Sequence, residues 1–341
     1  MRRIYILLFA VLLSAPAFAQ GTKKVVVTLR GSWYSPLGQQ EIAELRAAAP
    51  SINLVLPAEG EMMKEVADAD GIIGTINNDI LRVAKKLKWV QVGSAGVERF
   101  LTPELKNSDV ILTNCKIVQG PEIADHAMAL LLTLTRQMNK AIVDHPKEEW
   151  PTQEYRPLEL QGRTAVVFGV GGIGTQIAVR ANAFGMRVIG VDVRDMPYVP
   201  FLEKCVRPDR LDTVLPEADV VFVSAPHTPE TEKTFKAPQF ALMKDKSFFI
   251  AVSRGKLYDA EALAQALSSK HLAGAGLDVT DPEPLPKGHA LWKFDNVIIT
   301  PHIAGRSDRE SRRYIELYKE NLVRFAKGEP LLHVVDKQKG Y

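Results

Sequence analysis

Arg254, Glu283 and His302 are residue types that together could hold an anionic substrate and move a proton to or from a carbonyl oxygen. Arg254 follows the apolar run FFIAVS and precedes Gly255. Its planar guanidinium suits two-point binding of a carboxylate. Glu283 lies in DVTDPEPLP, and His302 follows NVIITP and precedes Ile303-Ala304-Gly305. An imidazole titrates near neutrality, and a carboxylate beside it favours its charged form. Taken singly, each residue has an ordinary alternative: a surface ion pair, a loop acid, a structural histidine. Their common feature is position. Each follows an apolar run of strand-like composition, and in open parallel sheets ligands bind beyond the carboxyl ends of strands.

A second motif supplies a cofactor class. Gly169-Val170-Gly171-Gly172-Ile173-Gly174 directly follows the apolar run Ala165–Phe168 and opens a predicted helix through Phe184. Strand, glycine turn, helix and a second strand ending in an acid form the context that makes a G-x-G-x-x-G run meaningful. Gly169 permits the tight turn, Gly171 lets backbone approach a pyrophosphate, and Gly174 allows close helix–strand packing. The helix N-terminus offers unpaired N–H groups to phosphate. Asp192 ends VIGVD, 18 residues after Gly174, where a carboxylate accepts bonds from the adenosine ribose. It favours NAD, while Arg194 keeps NADP open.

The elements that must position these groups read as two α/β sets. Strand-like runs at 25–29, 53–56, 71–74, 89–92 and 110–114 alternate with amphipathic stretches at 39–48 and 80–86. Six more runs follow, at 164–170, 187–193, 219–224, 247–253, 273–279 and 296–300. Such alternation implies parallel sheets covered on both faces. Between the sets, Pro121–Met138 is apolar on nearly every side, which predicts a helix buried between domains or subunits. A last helix, about Asp308–Lys327, could return to the first domain.

The 341 residues suit two domains. Apolar residues at 46% and charged residues at 24% exclude a disordered chain. Two cysteines, Cys115 and Cys205, exclude a disulfide framework and a four-cysteine zinc site, and no metal is expected. The first twenty residues form a separate object. Arg2 and Arg3, the apolar run Ile4–Leu13 and Ala17-Phe18-Ala19 have the form of a secretory signal peptide over 1–19. Export to the periplasm or medium is therefore expected, with no stable membrane span after cleavage. An uncleaved anchor and a misplaced start codon are the alternatives, the last implying a cytoplasmic protein. Without the leader the net charge falls from +3 to +1, so the overall field gives no reason to expect a nucleic-acid partner.

Taken together and in order, VGSAGVERF, PEIADHAMALLL, GVGGIG with its Asp192, SAPHTPETEKTF, VSRGKLYD, GAGLDVTDPEPLP, NVIITPHIAG and the tail GEPLLHVVDKQKGY resemble the D-isomer-specific 2-hydroxyacid dehydrogenases. The resemblance spans nearly the whole chain after the leader. It implies two Rossmann-like doubly wound domains, with the dinucleotide domain (121–305) inserted into a discontinuous substrate domain (22–120 plus 306–335). It implies hydride transfer between NAD(H) and a small 2-keto or D-2-hydroxy acid, with Arg254 as anchor and a Glu283–His302 acid–base pair. Ser94, Ala95, Gly96 and Val97 would offer backbone N–H groups to the carboxylate. Asp278 would hold the nicotinamide amide. Ala225, Pro226, Val252 and Ser253 would line the cofactor with Gly172 and Ile173. A homodimer through the Pro121–Met138 region is expected. Glu283 stands where the formate-specific branch has Gln, which argues against formate. His227 departs from the aliphatic or Asn residue of many relatives and is expected to face solvent. Trp33 and Tyr34, in Leu29–Leu37, hint at an apolar pocket wall. The rivals are a non-enzymatic NAD-binding regulator and a dehydrogenase of phosphorylated or larger 2-hydroxy acids.

Overall fold

A computed structural model describes residues 22–29 and 37–341. The leader at 1–19 and the aromatic pair Trp33 and Tyr34 lie outside the described residues. Two parallel sheets carry the fold. The first contains β1 (Lys23–Val27), β2 (Ile52–Val55), β3 (Gly71–Ile73), β4 (Trp89–Gln91) and β5 (Ile111–Thr113), in the order β2-β1-β3-β4-β5. The second contains β6 (Thr164–Phe168), β7 (Arg187–Val191), β8 (Lys204–Val206), β9 (Val220–Val223), β10 (Ser247–Ala251), β11 (Leu272–Leu277) and β12 (Val297–Ile299). Its order is β12-β11-β10-β9-β6-β7-β8, so chain direction across the sheet reverses between β6 and β9. That reversal opens a crevice at the carboxyl ends of β6 and β9, the usual ligand position in such sheets.

The strands form where apolar runs are short and β-branched, and helices cover both faces. β6, β9 and β10 are buried along their whole length, which is why they read as continuous apolar runs rather than alternating ones. The seventh strand of this sheet, β8, was not expected. It is a three-residue edge strand, Lys-Cys-Val, with no apolar run to mark it and only one side to pair. One face of the sheet packs an aromatic group in which Phe249 meets Phe235, Phe240 and Tyr258 edge-on at 5.3, 5.1 and 5.5 Å.

The apolar central helix is Gly120–Thr135 rather than 121–138. Gln137 takes a left-handed backbone, φ 56°, and a second helix, Met138–Asp144, begins after it. One face of this helix is buried within the second domain rather than between the two domains. Its Ile123, Ala127, Leu130, Leu131 and Leu134 join the second sheet's own core, beside Ile177 and Ala178 of the helix Gly172–Ala183. Only its first turn reaches across, where Glu122 accepts from Arg313 Nη2 at 2.5 Å. The final helix, Glu310–Lys327, does return to the first domain. Tyr314, Ile315, Tyr318, Leu322 and Phe325 pack with Val25, Ile42, Leu45 and Trp89. The fold is therefore two parallel-sheet α/β domains, with β1 and the final helix sharing the first core.

Cys115 and Cys205 are free. Cys115 is buried in the first core, and burial pushes its thiol far up. Cys205 lies in β8 of the other sheet.

Candidate active site

The site is assembled from loops at strand carboxyl ends. After β6, Gly169 turns with φ +92°, and its missing side chain lets Ala225 approach: a Cβ there would lie 2.5 Å from the Ala225 backbone. Gly174 packs on the Gly169 carbonyl and lies close to Ser224 Oγ. Nothing stands within 4 Å of where a Gly171 Cβ would be, so the turn opens onto space at the one glycine that must admit a ligand. Ser253, after β10, holds a buried hydroxyl that has no partner among the described residues. An open glycine cradle at a helix N-terminus and an orphaned hydroxyl across the crevice fit a dinucleotide.

Asp192, after β7, is 8% exposed and accepts the Val170 N–H at 2.8 Å. Its other oxygen accepts Arg194 N–H at 2.9 Å and Nε at 3.0 Å. Burial pulls this carboxyl up, but the Arg194 bonds and charge outweigh it and hold the group below the usual range.

Arg254 leaves β10 and reaches the loop of the first domain. Its Nε donates to Glu98 Oε1 at 2.5 Å, and its Nη1 donates to the Ser253 carbonyl at 2.7 Å. The guanidinium lies against Gly96, where a Cβ would be 2.9 Å from Cζ and nearer still to Nη2. Ser94 donates to the Gly96 carbonyl at 2.6 Å and closes the turn that holds Ala95 and Val97. Arg254 and the 94–97 loop, far apart in sequence, are thus brought face to face. Burial pulls Glu98 upward, yet Arg254, and His227 in addition, hold it below the ordinary carboxylate range.

His302 Nδ1 lies 2.8 Å from Glu283 Oε2, so the imidazole donates to a carboxylate. The other Glu283 oxygen accepts the Thr280 N–H at 3.0 Å. Burial raises this carboxyl, but the hydrogen bond and charge of His302 prevail and lower it. His302 itself has φ +52°, an uncommon backbone for a residue with a Cβ. Asp278 holds that turn. Its two oxygens accept Thr300 Oγ1 at 2.6 Å, Ile303 N–H at 2.9 Å and Ala304 N–H at 2.9 Å. Asp278 is 2% exposed. His126 Nε2 in turn lies 2.8 Å from Thr300 Oγ1. No group of metal-ligating residues occurs among the described residues.

Comparison with known proteins decides the family. The profile of the NAD-binding domain of D-isomer specific 2-hydroxyacid dehydrogenases matches residues 128–304. The chain belongs to the D-isomer specific 2-hydroxyacid dehydrogenase family. A glyoxylate reductase of Thermofilum pendens is 30% identical over 83% of this chain and 86% of its own. A D-3-phosphoglycerate dehydrogenase of Methanocaldococcus jannaschii is 31% identical over 81% of this chain, which spans only 53% of that relative. An NADPH-dependent glyoxylate/hydroxypyruvate reductase of Sinorhizobium meliloti, solved with NADP and sulfate, superposes with a TM-score of 0.78 at 28% identity, over 94% of this chain and all of the other. This 2-hydroxyacid dehydrogenase family member is accordingly an NAD(P)-dependent oxidoreductase with two Rossmann-like domains.

Two features of the dehydrogenase's cleft escaped sequence reasoning. Glu98 sits inside the quoted motif VGSAGVERF, but its pairing with Arg254 crosses the two domains. His227, expected to face solvent, has a side chain only 18% exposed and lies 3.2 Å from Glu232 Oε2.

Proposed function

We propose that this protein reversibly reduces a small 2-keto acid to the D-2-hydroxy acid. The observation that carries the proposal is the 2.8 Å His302–Glu283 pair in the same cleft as Arg254. Glyoxylate and hydroxypyruvate, the acids named in relatives' activities, are the first substrates to test.

Arg254 fixes the substrate carboxylate and polarises the keto oxygen, with backbone N–H groups of Ser94, Ala95, Gly96 and Val97 in support. Glu283 accepts a hydrogen bond from the Nδ1–H, which sets the ring's tautomer and stabilises its charged form. His302 then gives a proton through Nε2 to the keto oxygen in reduction and takes it back in oxidation. Asp278 holds the 302–304 turn that aims the ring. The 169–174 turn would hold the pyrophosphate, Asp192 the adenosine ribose, and Ala225, Pro226, Val252 and Ser253 the walls of the groove. A bound nicotinamide supplies or accepts the hydride. Asp192 supports NAD(H) as the working form, because its charge opposes a 2′-phosphate. Closure of the domains over the substrate would exclude water and align the groups.

The test is spectrophotometric. NADH or NADPH consumption is followed with glyoxylate, hydroxypyruvate and longer keto acids. His302→Ala lowers kcat by about 10²–10⁴-fold while NADH binding persists. Wild-type turnover by the variant refutes the assignment, and a wild-type protein that binds NADH without consuming it is a regulator.

The leader at 1–19 supports export. Self-association is supported by the exposed apolar side chains of Met138, Ile142, Val143 and Trp150, in the segment that follows the central helix.

A further inference from the structure

The substrate anchor already has a counter-ion. Arg254 Nε is taken by Glu98 at 2.5 Å and Nη1 by the Ser253 carbonyl at 2.7 Å. Among the described residues, Nη2, packed over Gly96, has no hydrogen-bond partner. The anchor therefore offers one edge of its guanidinium, and the Arg254–Glu98 pair sums to zero charge. His302, the other cation of the proposed reaction, is in the same position beside Glu283. His227, on the rim, is matched by Glu232. A single substrate carboxylate and its keto oxygen can be met by Nη2 and the loop N–H groups. A second anionic group would meet no uncompensated cation among these residues, and would meet Glu98.

We infer that Glu98 is a specificity-determining residue that restricts the enzyme to 2-keto acids carrying one negative charge, and that rejects dicarboxylic and phosphorylated ones. The inference rests on the proposed keto-acid reaction with Arg254 as anchor. Its physical basis is charge rather than shape. An ionised acid fixed beside the anchor repels a second negative charge brought to the same cleft.

The test compares kcat/KM for hydroxypyruvate, with one charge, and oxaloacetate, with two, in wild type, Glu98→Gln and Glu98→Asp. Wild type favours hydroxypyruvate. Glu98→Gln raises the oxaloacetate-to-hydroxypyruvate ratio by about 10–30-fold, as expected for removing a like charge some 8–10 Å away at an effective dielectric of about 20. Glu98→Asp keeps the charge and a wild-type ratio. A Glu98→Gln ratio within about two-fold of wild type overturns the inference, as does an aspartate variant that behaves like the glutamine one. Wild-type protein that consumes NADH with neither acid, nor with glyoxylate, overturns the keto-acid reaction itself, and the inference falls with it.

Discussion

Gly96→Ala puts the smallest side chain against the anchor of the proposed site. The added Cβ would lie 2.9 Å from Arg254 Cζ and 2.7 Å from Glu98 Oε2, where ordinary contact begins at 3.4 Å. Nη2 is closer than either, so the guanidinium must retreat by on the order of 1 Å. The colliding atoms are the ends of two flexible side chains and not backbone, so the fold accommodates the change. A misplacement of about 1 Å costs on the order of 10²-fold in an aligned reaction. The expected result is a loss of about 100-fold in kcat/KM for glyoxylate or hydroxypyruvate, with KM for NADH and the melting temperature nearly unchanged. The glycine turn lies on the other domain, which is why cofactor binding is spared. Steady-state kinetics with a thermal melt measures all three. Wild-type kcat/KM in a folded Gly96→Ala protein would refute the placement of Arg254 over Gly96 as the anchor. A parallel loss of NADH binding would show that the damage is general.

Two further outcomes follow from the geometry. Glu283 is held below the ordinary carboxylate range, so it is ionised beside His302 throughout pH 5–9. Glu283→Gln removes that counter-ion and changes the acidic limb of the oxidation profile, and an unchanged profile argues against the pairing. Phe249 is fully buried at the centre of the aromatic group, so Phe249→Ala costs about 3–5 kcal/mol in urea unfolding, and a loss under about 1 kcal/mol would contradict that packing.

Legibility in the sequence followed the range of the interaction. All eleven strands expected lie within two residues of their observed starts, because apolar β-branched runs bounded by turn residues are local signals. β8 was missed because an edge strand needs no apolar run. The central helix was seen, but its break at Gln137 was not, since a left-handed glutamine has no marker like Gly or Pro. Its all-round apolar face pointed to burial without saying against what. Packing supplied the answer: the second sheet.

What the amino-acid sequence determined by itself is the cofactor turn, the two α/β sets and the three chemically capable side chains. Each is written in neighbouring residues, where spacing along the chain dictates backbone shape. Only the tertiary structure decided how those side chains are partnered. Glu98 and Arg254 are 156 positions apart and meet because two domains face each other across a cleft. His302 meets Glu283 over 19 positions, through a turn that Asp278 holds from the interior. Charge pairing of this kind depends on a few ångströms between separate elements, and no periodicity in the chain encodes that distance.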